Sequence, residues 1–200
     1  MSVSRVVSVS QASRAGGELG ALLEELSAVT EEARKVFGRL SAAQLNWKPS
    51  AERWSVGQCF DHLIVTNRCF FAEMERVAAG THRTSLWGRV SPLSGFIGGL
   101  ILRSLDPEKG RKTKAARVFR PASSDVAADV LERFAGHQQE LAERMRATAG
   151  RDLARTIVTS PVTAFATYSL LDAYRIIVAH ERKHFEQARA VTRSEGFPAA

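Results

Sequence analysis

Cysteine, proline and uninterrupted apolar runs are all scarce in this sequence. There are two cysteines and six prolines in 200 residues. Cys59 and Cys69 lie ten residues apart in a stretch of helical periodicity. Their separation, roughly 15 Å of rise, is too large for a disulfide or a shared zinc-thiolate site. Both read as small packed side chains. No run approaches the roughly 20 apolar residues that a membrane-spanning helix needs. The opening "MSVSRVVSVSQASRAGGELG" lacks the apolar region of a signal peptide. The expectation is a cytoplasmic protein with a flexible N-terminal tail over residues 1–16.

An apolar fraction of 44% and a charged fraction of 24% fit one globular domain with a real core. The net charge of +7 is concentrated in one place. Residues 80–122 hold nine Lys/Arg against Asp106 and Glu108, and the rest of the chain balances at nineteen of each sign. Three readings fit that segment. It is a solvated loop, a field that steers an anionic small-molecule substrate, or a nucleic-acid or membrane-surface patch, since its apolar 93–105 stretch resembles an interfacial element. It lacks the interleaved aromatics of a single-strand platform, so no nucleic-acid partner is expected.

What the chain does have is helical periodicity. Leu19, Leu22, Leu23, Leu26, Val29, Ala33, Val36 and Phe37 recur at three and four and predict a helix from Gly17 to about Leu40. "SAAQLNWKPSAER" reads as a loop, and "WSVGQ" opens a second helix with Ser55 and Gln58 as a capping box. That helix is expected to run to about Ala79, burying Phe60, Leu63, Phe70, Phe71, Met74 and Val77. Residues 80–122 form a long crossover with a short helix inside it, although Gly98 and Gly99 weaken that helix by about 1 kcal/mol each. A third helix, capped by Ser123 or Ser124, runs to about Ala149 with the stripe Val126, Val130, Leu131, Phe134, Leu141 and Met145. A loop broken by Gly150 and Pro161 leads to a fourth, from about Ser169 to Thr192. No strand pattern of useful length and no repeat is present. The fold expected is all-α, a four-helix bundle with a long crossover between helices 2 and 3, spanning residues 17–194 and followed by a short C-terminal tail at 195–200.

Candidate chemistry sits on two of these helices. His180 and His184 are four residues apart and leave one helix face together. On the second helix Cys59, His62, Thr66 and Cys69 lie within about 60° of one another, beside the Phe/Leu stripe. His62 therefore points near the interior, where the face carrying His180 and His184 can meet it. Asp61 and Glu181 each adjoin one of these histidines but point about 100° away; both read as solvated or ion-paired. Gln58 and Thr66 are candidates to orient His62. His137 reads as a satisfied core or rim histidine, His82 as exposed, Trp54 as an anchor for the helix start, and Tyr168 and Tyr174 as core or rim residues.

"WSVGQCFDHL" and "HERKHFEQA", with the helix order around them, resemble the DinB-like (DinB/YfiT) superfamily over about residues 17–192. The resemblance implies a four-helix bundle holding one divalent metal ion (nickel, zinc or iron) on His62, His180 and His184. Three imidazoles leave a coordination position open, as in catalytic sites. It also implies the family's assigned activities: thiol-dependent transferases and isomerases that use a low-molecular-weight thiol such as mycothiol or bacillithiol, and hydrolases. A thiol S-transferase is the activity expected; the alternatives are a metal-dependent hydrolase and a non-enzymatic metal-binding or interaction protein. Pairing through bundle helices is common in the family, and "SGFIGGLILRSL" offers apolar surface, so a homodimer is expected.

Overall fold

The computed structural model describes residues 3–86, 88, 94–105, 125–161, 163 and 165–199, with side chains from residue 16 onward apart from Ser94 and Gly95. Its elements are α1 (Val3–Phe37), α2 (Ala42–Asn46), α3 (Val56–Arg68), α4 (Phe71–Ala79), α5 (Ser94–Leu105), α6 (Val130–Ala147), β1 (Ile157–Thr159), β2 (Thr167–Ser169) and α7 (Leu170–Thr192). The chain is mostly helical. α1 and α3 each pack against both α6 and α7, α4 continues the α3 side against α6, and α5 lies on α7 and β2.

Two apolar clusters fill the interior. One gathers Phe70, Met74, Leu141, Met145, Tyr174 and Ile177. The other gathers Val29, Phe37, Phe60, Leu63, Phe134 and Phe185. Along α3, α6 and α7 they are separated by polar residues. His137 and Gln138 stand between Phe134 and Leu141, Asn67 between Ile64 and Phe70, and His180, Glu181 and His184 between Val178 and Phe185. A buried polar belt thus crosses the molecule at mid-height. Isolated buried polar groups cost stability unless hydrogen-bonded, so such a belt asks for a reason.

The expected second helix is two helices. Cys69 and Phe70 turn with bonds to Thr66 and Asn67 three residues back, at 3.2 and 3.0 Å. The side chains of Thr66 and Cys69 donate to the carbonyls of His62 and Val65, at 2.7 and 3.4 Å. Such back-bonding bends helices. At the bend Cys69 is exposed, not packed, while Cys59 is buried. α4 ends on Gly80, whose φ of 74° turns the chain so that the Thr81 N–H donates to the Arg76 carbonyl at 2.9 Å.

The third long helix begins at Val130, later than expected, and Ser123 and Ser124 lie outside the described residues. The Asn46 amide accepts from Val126 N–H at 2.7 Å and donates to Val126 O at 2.9 Å. Both backbone groups of Val126 are thereby withdrawn from any helix. "SAAQLN", expected as loop, forms α2, because Ser41 and Gln44 make a second capping box. The antiparallel hairpin pairs Ile157 with Ser169 and Thr159 with Thr167. Ser169 then caps α7, accepting from Asp172 N–H at 3.0 Å. α5 forms despite its glycines: a Cβ on Gly98 would fall 2.9 Å from Asp172 Cβ, so the glycine permits close packing on α7.

Candidate metal centre

α3 starts at its capping box: Ser55 Oγ accepts from Gln58 N–H at 3.1 Å, and Gln58 Oε1 from Ser55 N–H at 3.2 Å. That fixes the helix start two turns below His62. α7, capped at Ser169, carries His180 and His184 one turn apart, facing α3. The structure brings all three histidines together. His180 Nε2 lies 3.2 Å from His62 Nε2 and 3.0 Å from His184 Nε2. His62 and His184 are buried and His180 is half-buried.

One imidazole nitrogen carries either a single proton or a single lone pair, so His180 Nε2 can make one good hydrogen bond to its two neighbours, not two. The donor set fits a cation better. Nitrogens about 2.0–2.1 Å from a tetrahedral ion are roughly 3.3 Å apart, close to the spacing found. Burial, with His62 and then Lys183 contributing, lowers the His180 pKa to about 3. Burial likewise holds His184 well below the usual range, with His180, His62 and Lys183 adding to it. These rings stay neutral at pH 7, the form that ligates metals.

Three further residues shape the site. Trp54 packs on His62 with ring centroids 4.7 Å apart and stacks on His184 at 5.4 Å. It anchors the helix start, as expected, by covering two of the three rings. Thr66 Oγ1 lies 3.4 Å from His62 Nδ1. The expectation for Glu181 fails. It is fully buried, accepting from Asn67 Nδ2 at 2.7 Å and from Gln138 Nε2 at 2.8 Å, with burial raising its pKa to about 8. Asp61 is paired with Arg133 at 3.5 Å, as expected.

His137 lies outside the triad. It is stacked on Phe71 at 5.2 Å, and among the described residues neither ring nitrogen has a hydrogen-bond partner, so it is a core histidine but not a satisfied one. Burial lowers its pKa to about 4, helped by Arg68 and Arg144. His82, expected to be exposed, is half-buried and paired with Glu73 through Nδ1. Tyr168 and Tyr174 are buried, and the Tyr174 hydroxyl meets Thr148 Oγ1 at 2.9 Å, away from the histidines.

A family model of the DinB superfamily matches residues 25–188. The chain belongs to the DinB superfamily. No curated protein and no solved structure matches it. Its membership rests on a match that includes α3 and α7, and so on the stretches that carry His62, His180 and His184. Among the described residues, these three form the cluster of His, Cys, Asp or Glu able to hold a metal ion. No described helix is long and apolar enough to cross a membrane.

Proposed function

We propose that this DinB superfamily chain is a metal-dependent enzyme of the thiol S-transferase type, built as a four-helix bundle. His62, His180 and His184 would hold one divalent ion (nickel, zinc or iron), and a low-molecular-weight thiol would be a co-substrate. The observation that carries the reading is the convergence of three Nε2 atoms, with His180 Nε2 within 3.2 Å of those of both His62 and His184. When bound, the ion would supply Lewis acidity, favouring the ionised form of a thiol or water brought to the open side. The chain's own residues do the rest. His180 is the least buried of the three, Trp54 covers the His62 and His184 rings, and Thr66 steadies the His62 ring. Glu181, held by two amides, keeps α7 in register against α3 and α6. In the transfer, a sulfur–carbon bond forms at the electrophile, the leaving group departs with the bonding pair, and the thiol proton passes to solvent.

A non-catalytic metal site is the second reading, favoured by Trp54, which closes one side. The test separates them. Protein purified without a histidine tag is assayed for metal, then for conjugation of monochlorobimane to mycothiol, bacillithiol, glutathione or cysteine. A metal-dependent rate supports the enzyme. One ion per chain with no rate for any thiol, and no hydrolysis of ester or amide substrates, leaves the non-catalytic site.

A further inference from the structure

The open side of the triad has a charged border. On α7, Glu181 lies about 100° to one side of His180 and Lys183 about 60° to the other. Glu181 faces the interior and is bound to α3 and α6. Lys183 therefore flanks His180, the least buried of the three histidines, on its outer side.

That outer side is where the crossover returns. Gly98 of α5 packs on Asp172 near the start of α7, and Lys183 Nζ donates to Ser104 O near the end of α5 at 3.3 Å. From Gly98 to Ser104 is roughly 9 Å of helix, and from Asp172 to Lys183 roughly 16 Å. The lysine stem thus bends back along α7 toward the level of His180 to reach Ser104.

Lys183 is also short of a counter-charge. On the same helix Arg175 pairs with Glu18 and Asp172, Arg182 with Glu25 and Glu32, and Arg189 with Glu186. Among the described residues Lys183 has no carboxylate, only the Ser104 carbonyl at a long distance. An ammonium bonded to one neutral acceptor has two further N–H donors to offer an anion.

We propose that Lys183 is the specificity residue of the triad's open side, binding the carboxylate of a small molecule that reacts there. The inference rests on the proposed function and narrows it to carboxylate-bearing substrates. A ligand carboxylate takes one of the two remaining N–H donors, or displaces the Ser104 carbonyl, with its reacting end toward His180.

The test uses three thiols of nearly equal size and different charge: mercaptoacetate (anionic), 2-mercaptoethanol (neutral) and cysteamine (cationic). Each is titrated into the cobalt(II)-loaded full-length protein, read by the visible absorption of the ion. The wild type should bind mercaptoacetate roughly tenfold tighter than 2-mercaptoethanol, the worth of one charge-assisted hydrogen bond at a partly exposed site, with cysteamine weakest. Lys183→Met should abolish the ranking and Lys183→Arg should keep it. A lysine that only latches α5 would instead change all three affinities alike on substitution, and would lower the thermal midpoint of the metal-free protein. Equal affinities in the wild type, or an unchanged ranking in Lys183→Met, overturn the assignment of Lys183 alone. A protein that takes up no cobalt overturns the metal reading, and this inference with it.

Discussion

Trp54 stacks on His184 with ring planes 17° apart and centroids 5.4 Å apart. An indole pressed flat on an imidazole fixes the ring's plane and removes one face from water. The same indole meets His62, from the other side of the triad, at 4.7 Å. One half-buried side chain from the turn before α3 thereby fixes two rings that come from different helices. Trp54→Ala should cost about 2 kcal/mol, less than a fully buried tryptophan because the residue is only partly covered. It should also weaken metal retention. Urea denaturation of the metal-free protein and metal content after dialysis against a weak chelator read the two effects separately; unchanged retention would reduce Trp54 to a packing role.

The triad itself predicts stoichiometry. The wild type should carry about one divalent ion per chain, and His62→Ala, His180→Ala and His184→Ala should each lose it, because two imidazoles hold a divalent ion far less tightly than three. Elemental analysis checks this, and equal metal in wild type and variants would refute the assignment.

Much of this was legible from residue order. The i, i+4 spacing puts His180 and His184 on one face, and helical phase puts His62 beside an apolar stripe. The three meet because each long helix has a single face to bury. What was illegible depends on partners distant in sequence. Glu181 looks like any exposed acid until Asn67, 114 residues away, and Gln138, 43 away, close over it. The delayed start of α6 is caused by Asn46, 80 residues earlier. The bend at Cys69 and Phe70 carries neither proline nor glycine, and the three-residue strands are too short to show alternation. The capping box of α2 was readable as Ser41 followed by Gln44, and the neighbouring proline obscured it.

Glu181 gives a paired prediction. In Glu181→Ala, Asn67 Nδ2 and Gln138 Nε2 lose their acceptor inside the protein, at roughly 1–3 kcal/mol each. Glu181→Gln should cost about 1 kcal/mol or less. One amide must turn its oxygen inward, and among the described residues both Asn67 Oδ1 and Gln138 Oε1 lack partners, so either can exchange roles. Chemical denaturation of the metal-free variants reads the difference; similar losses would mean that the amides do not hold the carboxyl group.

His137 gives a pH dependence. Its folded pKa of about 4 lies below the usual 6.5. The unfolded chain therefore binds the extra proton between pH 6.5 and 4, and stability present above pH 6.5 is lost as pH falls through that window. The groups facing the ring are Phe71 of α4, Arg68 of α3 and Arg144 of its own helix; both arginines oppose protonation. His137→Phe keeps the stacked ring and removes the proton site. At pH 4.5 the variant should exceed the wild type by on the order of 3 kcal/mol beyond any difference at pH 7.5. Urea midpoints for the metal-free proteins at both pH values check it, and a pH-independent difference would exclude His137 as the source.

α5 carries the last prediction. Ile97 and Ile101 pack against the core, while Phe96 and Leu100 are 64% and 56% exposed on its outer face. Two large apolar side chains four residues apart form a ridge suited to a twin helix in a second copy. α7 and β2 occupy the inner side of α5, and the Phe96–Leu100 ridge stands on the side away from them. The wild type should sediment as a dimer at tens of micromolar. Phe96→Ser with Leu100→Ser should release monomers near 22 kDa without lowering monomer stability, because both side chains are mostly in water already. A wild type that stays monomeric across that range would eliminate α5 as a dimer surface. A dimer that survives both substitutions would move the interface to another helix, and metal content unchanged in either form would place assembly apart from the histidine site.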